Sequence, residues 1–215
     1  MNVIKSYKFL PKEQIERLAL DILNQVQATR KRPLKGRCVA ETVADYLDIG
    51  VIWQSIPPDD EGYVAAMIFP LQKEIIINDQ IPELEGGFGQ STIAHEIGHW
   101  LLHIDQNAVG TFKERMSSEI GMTIEPFLCR SINTQKEIEW QAQYFASCLL
   151  MPLFKLEEAR RGRDLTKWRH LYPIADELGV TISNLTHRLK SLGWIYIPKG
   201  SKQIYLGKAL SNNHQ

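Results

Sequence analysis

The order of apolar and polar positions predicts two helices and a small sheet in the first part of the chain. After Pro11, apolar residues recur at i, i+3, i+4 and i+7, the spacing of an amphipathic helix. A second helix is predicted from Val39 to Leu47, closed by Gly50. The period then shortens, and three runs rich in β-branched and aromatic residues predict strands at VIWQSI, GYVAAMIF and KEIIIND.

The rest of the chain is predicted to be mainly helical. The glycine-rich EGGFGQS, with Ser91 or Thr92 as N-cap, precedes a helix that contains HEIGH, and QKEIEWQAQYFASCLLMP predicts a helix ending at Pro152. Between them, residues 107–134 have poor periodicity, which indicates an irregular segment, either a functional loop or a tolerated insertion. After Pro152 the pattern gives a helix, a GVT turn, a second helix and two strand-like ends around PKGSK. This is the order of a helix-turn-helix with a wing.

We therefore predict an α+β fold with residues 1–152 as one domain and residues 153–215 as a helix-turn-helix or winged-helix-like region. Of the 215 residues, 44% are hydrophobic and 23% are charged, which are globular values. The 25 basic and 25 acidic residues cancel, which argues against a chain that binds nucleic acid over its whole surface. Residues 152–215, however, carry a local excess of positive charge.

Cysteine usage and hydropathy predict the compartment. The three cysteines are widely spaced without a CxxC pair, which predicts buried thiols in a reducing compartment. The N-terminal residues lack the apolar stretch of a signal peptide, and no apolar run approaches the ~18 residues of a membrane helix. We expect a soluble cytoplasmic protein with no membrane partner.

The motif HEIGH predicts a metal site. Positions i and i+4 project from one helix face about 5–6 Å apart, so His95 and His99 can share one ion. Zinc binds imidazole and carboxylate ligands, and a catalytic site keeps one position open for water. Glu96, next to His95, can then take a proton from that water. The pattern alone leaves open a chance match in a winged-helix scaffold.

A third ligand is needed, and the helix around residues 134–151 offers Glu137 and Glu139. His103 is excluded because eight residues place it ~12 Å along the helix from His95. Glu139 is favoured, because it shares a stripe with two alanines that would let the HEIGH helix approach. Gln143 lies on the same stripe and can hydrogen-bond a ligand from outside the metal shell. That stripe has four members: Glu139, Ala142, Gln143 and Ala146.

Two stretches, TIAHEIGHWLLH and EIEWQAQYFASCLLMP, together resemble the ImmA/IrrE family of zinc metallopeptidases, over roughly Ile4 to Met151. The family's second motif usually has Asn where this chain has Gln143. The resemblance implies a small zincin-like peptidase domain with one Zn²⁺ per chain and Glu96 as the catalytic residue. It implies three zinc ligands, His95, His99 and Glu139. Family members typically cleave a helix-turn-helix repressor, so the resemblance implies a separately encoded repressor as the substrate.

Two functions are weighed on these residues. The first is a zinc-dependent endopeptidase that switches on gene expression, in which His103 or Tyr144 is a candidate donor to the transition state. The alternative is a DNA- or repressor-binding transcriptional regulator whose zinc is structural or regulatory. For the tail, Arg188 and Lys190 are candidate contacts on the exposed face of the second helix, to DNA or to a protein partner. An intact HEIGH favours the enzyme, because a structural zinc site does not need Glu96.

Overall fold

The structure is a computed structural model that describes residues 3–34, 36–58, 62–84, 86–116 and 135–207. Within these residues the chain forms eight α-helices: α1 Lys12–Ala28, α2 Val39–Tyr46, α3 Gly87–Leu102, α4 Gln106–Met116, α5 Gln135–Leu150, α6 Leu153–Ala159, α7 Trp168–Leu178 and α8 Ile182–Ser191. The same residues form five short strands: β1 Gly50–Gln54, β2 Ala66–Phe69, β3 Glu74–Asn78, β4 Ile195–Tyr196 and β5 Tyr205–Leu206. The predicted α+β class is confirmed.

The first three strands form a small sheet in the order β1-β3-β2, with β1 parallel and β2 antiparallel to β3. Each strand overlaps one of the three predicted runs. In the central strand, Ile75 and Ile77 are fully buried on one face, as the period of two along a strand requires. The buried amide of Asn78 then donates to the carbonyls of Ile56 and Val64, which fixes the chain that leaves β1 and enters β2.

Helices α3 and α5 lie at the centre of the fold and make the most extensive contact between any two helices of the described residues. Helix α3 is buried on most of its surface, because the sheet covers one side while α2 and α5 cover others. A Cβ added to Gly98 would lie 3.1 Å from the Cα and O atoms of Ala142 in α5. Glycine and alanine therefore let the two backbones approach, and the small-residue contact expected of α5 is confirmed.

The predicted start of the HEIGH helix is wrong. Helix α3 begins at Gly87, and Ser91 and Thr92 lie in its second turn, where their hydroxyls donate to the carbonyls of Gly87 and Phe88. Glycine is suited to this first turn because other backbone packs closely against it. A Cβ on Gly87 would lie 2.8 Å from the carbonyl carbon of Val180, in the turn before α8. This contact leaves no room for a side chain, so glycine fits here despite its low helix propensity.

The segment at 107–134 is partly regular. Residues up to Met116 form α4, which contradicts the expected irregular structure there, and residues 117–134 lie outside the described residues. Asp105 accepts hydrogen bonds from the backbone of Asn107 and Ala108, which stabilises the first turn of α4. Poor apolar periodicity concealed this helix.

The tail has the predicted order of elements, α7, a turn at Gly179, α8 and the paired strands β4 and β5. Gly179 has φ 67°, the left-handed conformation that ends many helices. Thr181 caps α8 by accepting from the Asn184 backbone N–H at 3.1 Å. The buried hydrophobic cluster includes residues of the tail together with residues of α1, α3 and α5. The division at residue 152 stays a prediction.

Arg188 corrects the predicted orientation of α8. The sequence pattern placed it on the exposed face, but the residue is only 1% exposed. Its guanidinium donates to Glu16 of α1 at 2.6 Å and to the hydroxyl of Tyr144 of α5 at 3.3 Å. Arg188 is therefore not available to DNA or to a partner in this structure, whereas Lys190 is exposed.

Candidate metal centre

Helices α3 and α5 bring three side chains together, His95 and His99 from α3 and Glu139 from α5. One nitrogen of each histidine and a carboxylate oxygen all lie within 4.8 Å of one another. The Nε2 atoms of His95 and His99 are 2.9 Å apart, and Glu139 Oε2 is 3.0 Å from His95 Nε2. Glu139 Oε1 is 3.4 Å from His99 Nε2. Among the described residues, no other group of histidine, cysteine and carboxylate side chains meets in this way.

The spacing of these atoms fits zinc. Ligands about 2.0–2.1 Å from a tetrahedral ion lie about 3.3 Å from one another. The three separations, 2.9, 3.0 and 3.4 Å, are close to that value, so small side-chain rotations are enough to seat an ion. Two imidazoles and one carboxylate also match the donor set of catalytic zinc sites, which leave a fourth position for water or substrate.

Glu96 lies beside the three ligand residues and is buried. Burial raises the pKa of its carboxyl group, and the carboxylate of Glu139 raises it further, against the opposing effect of His95 and His99. A carboxylate with a raised pKa is a better proton acceptor near neutral pH. The position of Glu96 next to His95 thus suits proton transfer rather than metal ligation.

The charges of His95 and Glu139 are strongly coupled. Burial lowers the pKa of His95, but its hydrogen bond to Glu139 and the carboxylates of Glu96 and Glu139 outweigh burial, so the net shift is upward. Burial raises the pKa of Glu139, but the neighbouring side chains of His95 and His99 reverse this and lower the value to about 2. Glu139 is therefore ionised at neutral pH, as a metal ligand must be.

A chain of hydrogen bonds behind His99 fixes which of its nitrogens faces the site. The side-chain N–H of Gln141 donates to the carbonyl of Lys8 at 3.1 Å, so the Gln141 oxygen faces His103 and accepts from its Nε2 at 3.2 Å. Burial and the nearby His99 lower the pKa of His103 to about 4, so its ring is neutral. Its Nδ1 then accepts from His99 Nδ1 at 3.1 Å, which leaves the Nε2 lone pair of His99 for the metal.

This network places His103 behind His99, which is not the position expected of a donor to the transition state. Both of its ring nitrogens are engaged inside the protein, on the side of His99 away from the ligand atom. That placement does not favour the interpretation of His103 as a donor to the transition state. Gln141, which joins this network, was not among the residues predicted from the sequence. Its partner Lys8 is 133 residues away, and no local signal identifies that contact.

Replacing His103 tests this network. His103→Leu removes the acceptor for His99 Nδ1, and zinc affinity should fall about 10–100-fold, the usual effect of losing a hydrogen bond to a ligand. His103→Asn places an amide oxygen near the position of Nδ1 and should restore most of the affinity. Competition with a chromophoric chelator measures both. Equal losses in the two variants would assign His103 to packing alone.

Gln143 and Tyr144 occupy different positions beside the centre. The side chain of Gln143 is exposed and hydrogen-bonds His95, and its role in supporting a metal ligand stays a prediction. Tyr144 is half-buried, accepts from Arg188 and stacks on Trp140 with ring centroids 5.5 Å apart. Its hydroxyl is thus held towards α8, and a role as a donor to substrate stays a prediction.

Comparison with known proteins gives a family and a fold. The family described as Peptidase_M78: IrrE N-terminal-like domain matches residues 44–190, a range that contains every residue of the centre and extends past residue 152. None of the curated proteins with which the sequence was compared matches it. A solved structure, "Mycobacterium tuberculosis transcriptional regulator", is similar with a TM-score of 0.51 and 16% sequence identity. The similarity covers 83% of this chain and 46% of that one, so the chain spans about half the length of that protein and shares its fold.

The described helices were also compared with the requirements of a membrane span. None of them is both long enough and apolar enough to cross a bilayer.

Proposed function

The chain belongs to the Peptidase_M78 family with an IrrE N-terminal-like domain, and on this basis we propose that it is a zinc-dependent endopeptidase. The observation that carries the proposal is the meeting of His95, His99 and Glu139, with the buried carboxylate of Glu96 beside them. A structural site would use four protein ligands, whereas this cluster offers three and a base.

The residues of the chain divide the reaction between them. His95, His99 and Glu139 would hold the zinc ion, and the hydrogen-bonded Gln143 and His103 would orient the two imidazoles. Zinc bound there would polarise the scissile carbonyl and lower the pKa of a water molecule. Glu96 then accepts a proton from the attacking water and donates it to the amine that leaves, so that one carboxyl group serves as base and acid.

The proposed substrate is a separately encoded helix-turn-helix repressor, whose cleavage would switch on gene expression in the cytoplasm. Support for a repressor as substrate comes from the resemblance to the ImmA/IrrE family. The structural relative is described only as a transcriptional regulator and does not identify a substrate. The buried Arg188 argues against the alternative of a DNA-binding regulator, because one of the two predicted contacts on α8 is occupied within the protein. We propose that the winged-helix-like tail contacts protein instead.

A comparison of two neighbouring glutamates tests the function. Purified protein should hold about one zinc per chain and cleave a separately encoded helix-turn-helix repressor, sought first among the products of neighbouring genes. Glu139→Ala should lose both metal and cleavage, because only two ligands remain. Glu137→Ala, which changes an exposed carboxylate one half-turn away, should retain both. Metal content by elemental analysis and cleavage by mass spectrometry give the readouts, and metal loss in Glu137→Ala alone would contradict the assignment.

A further inference from the structure

A groove of about 380 Å³ runs along α5 beside the metal centre. This volume is within the range of about 300–1,000 Å³ that ligand sites occupy. Gln143 lines the groove and also hydrogen-bonds His95, and Ser91, another lining residue, lies one helical turn before His95 on α3. The groove is therefore adjacent to the proposed catalytic centre and touches it through Gln143, although His95, His99 and Glu139 do not line it.

One wall of the groove is a stripe along α5. The lining residues run from Trp140 to Met151, which at 1.5 Å per residue is about 16 Å of helix. An extended peptide rises about 3.3 Å per residue, so this length matches about five residues of substrate. The inner part of the wall is apolar, because Ala146, Leu150 and Met151 are almost fully buried beneath it.

The opposite wall is α8, and it is polar. Its lining residues occur at i, i+1, i+4 and i+8, one face of the helix: Ser183, Asn184, His187 and Ser191. Two contacts hold this face in place. Asn184 donates to Ser91 Oγ on α3, and Arg188, next to His187, pairs with Glu16. The two predicted contacts on α8, Arg188 and Lys190, do not line the groove, and the wall is formed by these four polar residues instead.

The charge of the lining indicates what fits. No carboxylate lies among the lining residues, whereas Lys12 and His187 are both present and exposed. We propose that this groove binds the substrate segment next to the scissile bond, with an apolar side chain over Leu150 and Met151 and an acidic side chain near Lys12 and His187. Helix α8 then forms the wall of the groove that selects the substrate sequence. This proposal rests on the proposed function, since a substrate groove requires that the adjacent centre cleave peptides.

The test uses zinc-loaded Glu96→Gln protein, which binds peptides without cleaving them, and fluorescent eight-residue peptides in which an acidic or basic residue flanks a leucine. The unmodified groove should prefer the acidic peptide. Adding His187→Glu should move the ratio of affinities by about five- to tenfold towards the basic peptide, because one attractive contact becomes repulsive. Arg161→Gln is the control, since it removes one positive charge at an exposed position outside the groove.

The outcomes separate the groove from the enzyme. A preference for the acidic peptide that His187→Glu moves towards the basic peptide, and that Arg161→Gln leaves unchanged, supports the proposal. The groove is overturned if the zinc-loaded Glu96→Gln protein does not prefer the acidic peptide, or if the two variants change the preference equally. If the preference is present but the zinc-loaded wild-type protein cleaves nothing, the groove remains a peptide site and the peptidase is overturned. Zinc content, measured on the same samples, decides the metal centre independently.

Discussion

Glu96→Gln is expected to keep zinc and lose about 10²–10⁴-fold in the rate of repressor cleavage, the usual effect of removing a general base. The amide is nearly the same size as the carboxylate but cannot accept a proton from water. The ligand residues His95, His99 and Glu139 are unchanged, so metal content should remain at about one ion per chain. Single-turnover cleavage of the repressor, followed on gels, measures the loss.

Stability gives this variant a second, independent readout. Burial raises the pKa of Glu96, so its ionised form is unfavourable in the folded protein, and the penalty grows as pH rises above the unfolded value. A neutral amide removes the penalty, and the melting temperature at pH 7 should not fall. Glu83→Gln, at an exposed carboxylate, is the matched control and should leave rate and stability unchanged. Cleavage by Glu96→Gln at the wild-type rate would remove the endopeptidase hypothesis.

Arg188→Ala is expected to lower the free energy of unfolding by about 3–5 kcal/mol, the range for breaking a buried ion pair. The side chain of Arg188 is fully buried, and its loss leaves Glu16 without its cation and Tyr144 without a donor. For a chain of this length each kcal/mol lowers the melting temperature by about 2–4 °C. Urea unfolding, with the midpoint and slope reported separately, measures the change.

Two further variants identify the cause. Lys190→Ala alters an exposed residue on the same helix, and its effect should stay within about 0.5 kcal/mol. Arg188→Met combined with Glu16→Leu replaces the pair by apolar side chains of similar size, and this exchange should recover much of the lost stability. Full stability of Arg188→Ala, together with weaker binding of a DNA duplex, would show instead that the residue faces a partner.

The meeting of His95, His99 and Glu139 was predictable because each position depends on a pattern within one helix. The i, i+4 spacing places His95 and His99 on one face, and the small residues around Glu139 indicate which face of α5 approaches α3. The contact of Gly98 with Ala142 follows the same logic. Local periodicity was therefore sufficient to predict that these two separate segments meet at the candidate centre.

The residues that were missed have partners far away in sequence. Arg188 was placed at the surface because charged side chains usually lie there, but Glu16, 172 residues earlier, neutralises it in the interior. Gln141 was not predicted to take part, because its partner Lys8 lies 133 residues away in sequence. The start of α3 was misplaced because Gly87 reads as a helix breaker, whereas its contact with Val180 favours glycine inside the helix. Tertiary contacts decided all three positions.

The ion pair between α1 and α8 joins a residue that is synthesised early to one that is synthesised late. As the chain leaves the ribosome, the residues of the candidate centre on α3 and α5 emerge before α8. Until α8 has emerged, Glu16 lacks its partner Arg188, and the groove beside the centre lacks its polar wall. On the proposed function, a nascent chain that ends before α8 should therefore bind substrate more weakly than a chain that includes it.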